Sequence, residues 1–207
     1  MTTLEILHCL QSEIHSAVFA TLDDRGLPQT CVIDLMLADE GGLYFLTAKG
    51  KSFYERLMAR PFAALSGMKG GDTLSTVAIS LRGAVRNIGK ERLAEIFVQN
   101  PYMAKIYPTE KNREALEVFQ IFRAEGEYFD LSQLPPYRKS FSLGGEAAHA
   151  SGYRINVEKC ITCTQCREVC PTNCISDTPP RILDAGHCLH CGNCFRTCPV
   201  GAVEKIS

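Results

Sequence analysis

The chain has 207 residues, of which 45% are hydrophobic, a formal net charge of −1 and eleven cysteines. That charge gives no electrostatic case for a nucleic-acid or anionic-membrane partner, and no run of 18 apolar residues is present to span a bilayer as a helix. The opening MTTLEILHCLQSEIHS shows no basic region followed by an apolar stretch, so no export signal is expected, and a cysteine-rich chain without one points to the reducing cytoplasm.

Thr2 to His15 predicts an amphipathic helix, with Leu4, Ile6, Leu7, Leu10 and Ile14 on one stripe and Thr2 with Glu5 set for a capping box. Strands follow at Ser16–Leu22, Pro28–Ala38 and Leu43–Ala48, separated by the turn signals DDRG and DEGG. Lys51 to Arg60 reads as a short helix stopped by Pro61. Phe62–Met68 is a fourth strand, and Thr73–Asn87 is a long fifth, with Gly83 expected at a bulge or bend. Lys90–Gln99, Met103–Tyr107 and Asn112–Val118 read as helices, and Ile121–Leu131 as a sixth strand. Hairpin-linked strands with short helical insertions predict a small antiparallel barrel. Residues 134–152, rich in Pro, Gly and Ser, read as a linker, either free or packed along the barrel.

The last quarter carries KCITCTQCREVCP and, 28 positions on, HCLHCGNCFRTCP. Each half spells Cys-x-x-Cys-x-x-Cys-x-x-x-Cys-Pro. Soft thiolates converging from several directions are what an iron–sulfur cubane requires. Three cysteines spaced by two residues lie on one tight loop, and the Pro after the fourth turns the chain away. Zinc also takes Cys-x-x-Cys pairs, but a structural zinc site has no use for a third Cys and a Cys-Pro in each half. A disulfide framework fits poorly with the absence of a secretory signal. Cys174 falls where Ala202 sits in the second run and reads as a small buried residue. His187 and His190 flank Cys188 and read as loop residues.

These runs resemble bacterial ferredoxins with two 4Fe–4S clusters, over about residues 155–203. In that family the fourth cysteine ligates the other cluster. The resemblance therefore implies one cluster on Cys160, Cys163, Cys166 and Cys198, and a second on Cys188, Cys191, Cys194 and Cys170.

The N-terminal order of helix, two strands, LYFLTA and KGKSFYERLMARPFAAL resembles the flavin-binding split-barrel family that includes pyridoxamine 5'-phosphate oxidase, over about residues 5–132. The resemblance implies FMN and a homodimer. A flavin phosphate suits cations, hydroxyls and N–H groups at a helix start. Lys49, Lys51 and Ser52, with Thr47 at the strand end, are the expected phosphate side. The strand from Thr30 to Asp34 is expected beside the flavin ring, and Arg82 is a further candidate. Read on their residue types alone, Lys49 and Lys51 are equally surface charges and Arg82 a cross-strand ion pair. Members of the family that oxidise pyridoxamine phosphate carry a C-terminal segment with a Trp. This chain contains no Trp, so vitamin B6 oxidation is not expected.

The whole is expected to be an α+β chain: an FMN-binding antiparallel split β-barrel over 1–133, a linker over 134–152, and a ferredoxin-like domain with two 4Fe–4S clusters over 153–207. Its expected function is oxidoreduction, with electrons passing between the clusters and a flavin that reduces or oxidises a small organic molecule, served by a redox partner protein or a small-molecule acceptor or donor. The alternatives are an electron-transfer or redox-sensing module without a substrate of its own, or a haem-binding barrel with His8, His15 or His149 as axial ligand. No proton donor is singled out among Tyr44, Tyr102, Tyr107 and His15. No Gly-x-Gly-x-x-Gly run supports dinucleotide binding.

Overall fold

A computed structural model describes residues 1–148 and 151–206; His149, one of the axial-ligand candidates, lies outside the described residues. They form two compact units. The first comprises Met1–Lys69, Ala78–Gly126 and Phe141–Ala147. The second comprises Gly70–Val77, Glu127–Ser140 and the C-terminal stretch from Ala148.

The first unit opens with helix α1 (Thr3–His8), capped by the reciprocal bonds of Thr2 and Glu5. The sequence predicts one continuous α-helix to His15. Instead the segment Cys9–Ile14 widens to π-helical spacing, and His15 takes a left-handed φ of 61° that turns the chain into β1. Strands β1 (Ser16–Leu22), β2 (Pro28–Asp39) and β3 (Gly42–Ala48) form a meander. Helix α2 (Ser52–Ala59), β4 (Phe62–Lys69) and β5 (Val77–Gly89) follow, then α3 (Leu93–Gln99), α4 (Met103–Ile106), α5 (Glu110–Arg113), β6 (Leu116–Asp130) and β7 (Tyr137–Leu143). The sheet runs β3-β2-β1-β4-β5-β6-β7, and β3 also pairs with β6, closing six strands into an antiparallel barrel with β7 as an addition.

Three expectations are corrected here. Asn112–Val118 does not form a helix: the helical turn ends at Arg113, and Leu116 and Val118 already alternate inward as the start of β6. The stretch 134–152, expected to be irregular, contains β7. Its YRKSFSL buries Phe141 and Leu143 on one face, a period of two that the surrounding Pro and Gly obscure. Gly83 marks no break in β5. A Cβ there would lie 2.2 Å from the Arg123 carbonyl oxygen, so glycine permits close approach of β5 to β6.

The barrel interior is aromatic. Phe19 on β1 and Phe45 on β3 sit 4.8 Å apart, Phe45 stacks on Phe119 of β6 at 5.6 Å, and Phe53 of α2 closes the cluster. Phe19, Phe45 and Phe119 are fully buried, each contributing about 1.5–3 kcal/mol through removal of apolar surface from water. This core fixes the β3–α2 turn by burying residues on both sides of it.

In the second unit, β8 (Gly152–Ile155) pairs antiparallel with β9 (Val203–Ile206), joining the two ends of the cysteine-rich stretch. Ile175 and Leu183 bridge its middle. Helices α6 (Gln165–Glu168) and α7 (Asn193–Thr197) are each about one turn. Its left-handed residues recur at the repeat offset: Thr162 with His190, Thr164 with Gly192, and Asn173 with Gly201. A β-branched residue in this region is strained. Two threonines are held there because the loops must coil tightly enough to turn successive cysteine side chains the same way.

Candidate functional site

The eight run cysteines form two sets. Cys160, Cys163, Cys166 and Cys198 line one small pocket. Cys170, Cys188, Cys191 and Cys194 line another, together with Cys174. Each pocket thus takes three cysteines from one run and the last from the other. Among the described residues, no three His, Cys, Asp or Glu side chains converge closely enough to hold a single ion. The sulfurs instead surround a space, as the ligands of a multi-iron group must.

The fourth cysteine of each run sits in a loop of backbone N–H groups. At Cys198, burial pushes the thiol up, but the N–H groups of Val203, Val200, Ala202 and Gly201 more than offset it; the Ala202 N–H lies 3.2 Å from its sulfur. At Cys170, burial is likewise outweighed, by the N–H groups of Cys174 and Thr172. Cys188 is held down to about 6, first by a hydrogen bond from the Cys174 thiol. Cys194 is pushed up to about 11 by burial and then by the neighbouring Cys188. Thiolates are the ligating form, and these N–H groups favour negative sulfur.

Two further features were not legible in the run itself. Cys174 is buried, as expected, yet it also lines the second pocket, with its sulfur 3.5 Å from that of Cys170. Arg181 lines the first pocket at 6% exposure, with its Nε unpartnered. A buried, partly unsatisfied cation against four thiols fits an anionic occupant, as does the sulfur donor set itself.

The barrel candidates divide into groups. Thr47, Lys49, Lys51 and Ser52 lie on the β3–α2 connection. Thr47 is buried, and its hydroxyl has no partner. Lys51 precedes the first turn of α2 and Ser52 opens it. Neither side chain is hydrogen-bonded among the described residues. Lys49 is engaged: its ammonium lies 2.8 Å from Glu117 on β6, which also accepts from Tyr54 at 2.8 Å and Asn87 at 2.6 Å. Those bonds, Asn87 first and Lys49 next, hold the Glu117 carboxyl down to about 2. Beside this turn, Ser52, Arg56 and Arg60 line an open groove of about 810 Å³ with Asp23, Asp24 and Glu55. The orphaned Thr47 hydroxyl with the unengaged Lys51 and Ser52 fits a phosphate; Lys49 has an acidic partner already.

On β2, Thr30 is exposed opposite Ala20. Asp34 accepts from Ser16 Oγ at 2.6 Å and from Tyr102 Oη at 3.0 Å. Tyr102 Oη also lies 3.0 Å from His15 Nε2. Burial, and then the Asp34 carboxylate, push the Tyr102 phenol well above its usual value. Two of the four proton-donor candidates are therefore brought together on a ring candidate. Arg82 is not drawn to this group; it is exposed and donates twice to Glu125, at 2.8 and 2.6 Å.

Residues 4–130 match the family model described as pyridoxamine 5'-phosphate oxidase. The chain belongs to that family. Two copies of a 4Fe–4S binding domain match residues 153–176 and 181–204, so this member is a split barrel fused to a ferredoxin-like, iron–sulfur-binding region. Among solved structures, it is similar to a NimC/NimA family protein from Clostridium acetobutylicum, at 21% identity over 68% of this chain and 89% of that one, with a TM-score of 0.55. It is also similar to a heme binding protein from Mycobacterium smegmatis, at 15% identity over 70% of this chain and 59% of that one, with a TM-score of 0.53. At these identities the likeness is one of fold. No curated protein matches the chain in sequence. No helix among the described residues is long and apolar enough to cross a membrane.

Proposed function

We propose that the chain is an FMN and iron–sulfur oxidoreductase, with a flavin barrel over 1–133 and two 4Fe–4S clusters in 153–207. The observation that carries this reading is the pair of pockets, each lined by four of the eight run cysteines, three from one run and one from the other. Flavin handles electrons singly or in pairs and iron–sulfur clusters handle them singly, so the two together couple a two-electron organic substrate to one-electron carriers. Lys51, Ser52 and Thr47 would hold the flavin phosphate, with β2 from Thr30 to Asp34 along the ring. Tyr102, whose hydroxyl meets both Asp34 of the proposed ring strand and His15, is by its placement the candidate to relay a proton to a reduced substrate.

The barrel exposes Val18 and Val32, which are cross-strand partners on β1 and β2, with Phe62 and Met68 on β4. An apolar sheet face of this kind suits pairing with a second copy, so a homodimer is part of the reading. Eleven free cysteines suit a reducing, cytoplasmic setting.

Anaerobic purification with iron, acid-labile sulfide and FMN assays tests the proposal. About eight irons per chain and stoichiometric FMN support it. Iron without any flavin, before and after reconstitution, overturns the converter role in favour of an electron carrier. The haem reading, with His8, His15 or His149 as axial ligand, gains support from the similar fold of the Mycobacterium smegmatis heme binding protein. It is disfavoured at His15, whose ring nitrogens already face Gln11 O at 3.3 Å and Tyr102 at 3.0 Å. Haem uptake with a new Soret band would reinstate it.

A further inference from the structure

The two cysteine pockets are assembled from corresponding positions of the two repeats, yet they differ in charge. The first contains one charged wall residue, Arg181, and the second contains Tyr153 at the corresponding position, 28 residues earlier. Arg181 is 6% exposed. One terminal nitrogen donates to the Ser176 carbonyl at 2.8 Å and to that of Asp177, while Nε has no partner. No carboxylate pairs with it among the described residues; the Asp177 carboxylate is paired with Arg167.

A buried cation without a counter-ion is costly and needs negative charge beside it. The four thiolates of this pocket, with the cluster they hold, supply that charge. Reduction of such a cluster adds one electron and neither makes nor breaks a bond. The added charge is favoured by a nearby cation in a water-poor site. The second pocket has weaker compensation. Arg138 acts on Cys188 from nearby, but its guanidinium is neutralised by Glu127 at 2.7 Å. The Cys174 thiol beside Cys170 is a weak donor.

We propose that Arg181 makes the cluster held by Cys160, Cys163, Cys166 and Cys198 the more easily reduced of the two, so that an electron entering the pair settles there. This rests on the two-cluster reading above.

The test is an anaerobic redox titration of the full chain followed by electron paramagnetic resonance, with iron and sulfide measured on each sample. The wild type is expected to show two resolved one-electron steps. In R181Q the higher potential should fall by at least a tenfold change in the ratio of reduced to oxidised cluster, about 59 mV for a one-electron couple. The lower potential should move much less, and R181K should keep most of the wild-type separation. Coincident wild-type potentials, an R181Q variant with both unchanged, or equal shifts in both overturn the inference alone. A wild-type chain with about four irons overturns the two-cluster reading and the inference with it. Should R181Q fail to retain iron, the wild type and R181K decide. Separated wild-type potentials whose separation is kept in R181K support the role, and coincident ones overturn it.

Discussion

The Lys49 ammonium lies 2.8 Å from the Glu117 carboxylate, across the β3–β6 pairing that closes the barrel and aligns Thr47 with Glu117. This contact separates two lysines that look alike in the sequence. Lys49 serves the barrel seam, whereas Lys51 stands just before the first turn of α2 with no carboxylate partner among the described residues. Replacing Lys51 and Ser52 together by Ala should lower FMN retention about tenfold or more, since charge-assisted bonds to phosphate are worth about 1.5–3 kcal/mol. Lys49→Ala should leave the flavin in place and cost little stability, as an exposed ion pair screened by solvent. Flavin content per chain after gel filtration decides it: equal loss in both variants would put Lys49 in the phosphate site, and no loss in either would remove the site from this turn.

Glu117 itself predicts a pH dependence. Its folded value is about 2, against an ordinary 4.5. A depressed carboxylate contributes stability that is fully present above the unfolded value and is lost as pH falls through the folded one. The stability gap between wild type and Glu117→Gln should therefore be constant above pH 4.5 and shrink as pH falls toward 2. Urea midpoints read from near-UV signals of the barrel at pH 7 and pH 3.5 (round values chosen on either side of about 4.5) would check this. A gap as wide at the lower pH would remove the linkage.

Much of the barrel was legible because local and global signals agreed. SAVFATL is an apolar run ended by the turn signal DDRG, so Ser16–Leu22 was readable to the residue, and the Thr2–Glu5 capping box has one physical reading. The misses lie where the signal is not local. Tyr137–Leu143 becomes a strand because β6 offers an edge to it, while its own neighbours are turn residues. Glu117 reads as one of many charges until β3 and β6 pair. The cysteine runs identify their own chemistry through spacing, but Arg181 lies ten positions before Cys191 and becomes a pocket wall only when the repeats fold onto one another. Tertiary pairing, which no short window records, creates each of these.

The crossing of the runs makes a sharp expectation for the cysteines. Cys198→Ala removes a residue of the second run, yet it should damage the same cluster as Cys163→Ala, because both line the first pocket. Cys170→Ala should match Cys191→Ala instead. Resonance spectra of the four reduced variants should fall into these two pairs. A grouping by run, with Cys198 alongside Cys191, would mean that each run encloses its own cluster.

Cys174→Ala tests whether the ninth cysteine of the region is packing or ligand. It is buried among Ile175, Val203 and the pocket sulfurs, where Ala202 fills the corresponding place in the first pocket. Exchange for Ala should keep the full iron content and cost about 1 kcal/mol or less, given the small volume removed. Loss of about half the iron would make the thiol a ligand.

Tyr102→Phe separates proton delivery from cofactor binding. The phenol donates to Asp34 and adjoins His15, and its environment disfavours ionisation. Removing the hydroxyl leaves the ring packed against the Met36, Leu37 and Ile96 cluster, so folding and FMN content should be close to wild type. If Tyr102 supplies a proton during substrate reduction, turnover of an artificial acceptor should fall by about 10²–10⁴-fold, the range for loss of a general acid. The rate at which dithionite reduces the bound cofactors should stay unchanged, because that reaction needs no proton from the site. A fall in both rates would mean that Tyr102 positions β2 through Asp34, and unchanged turnover would move the donor elsewhere.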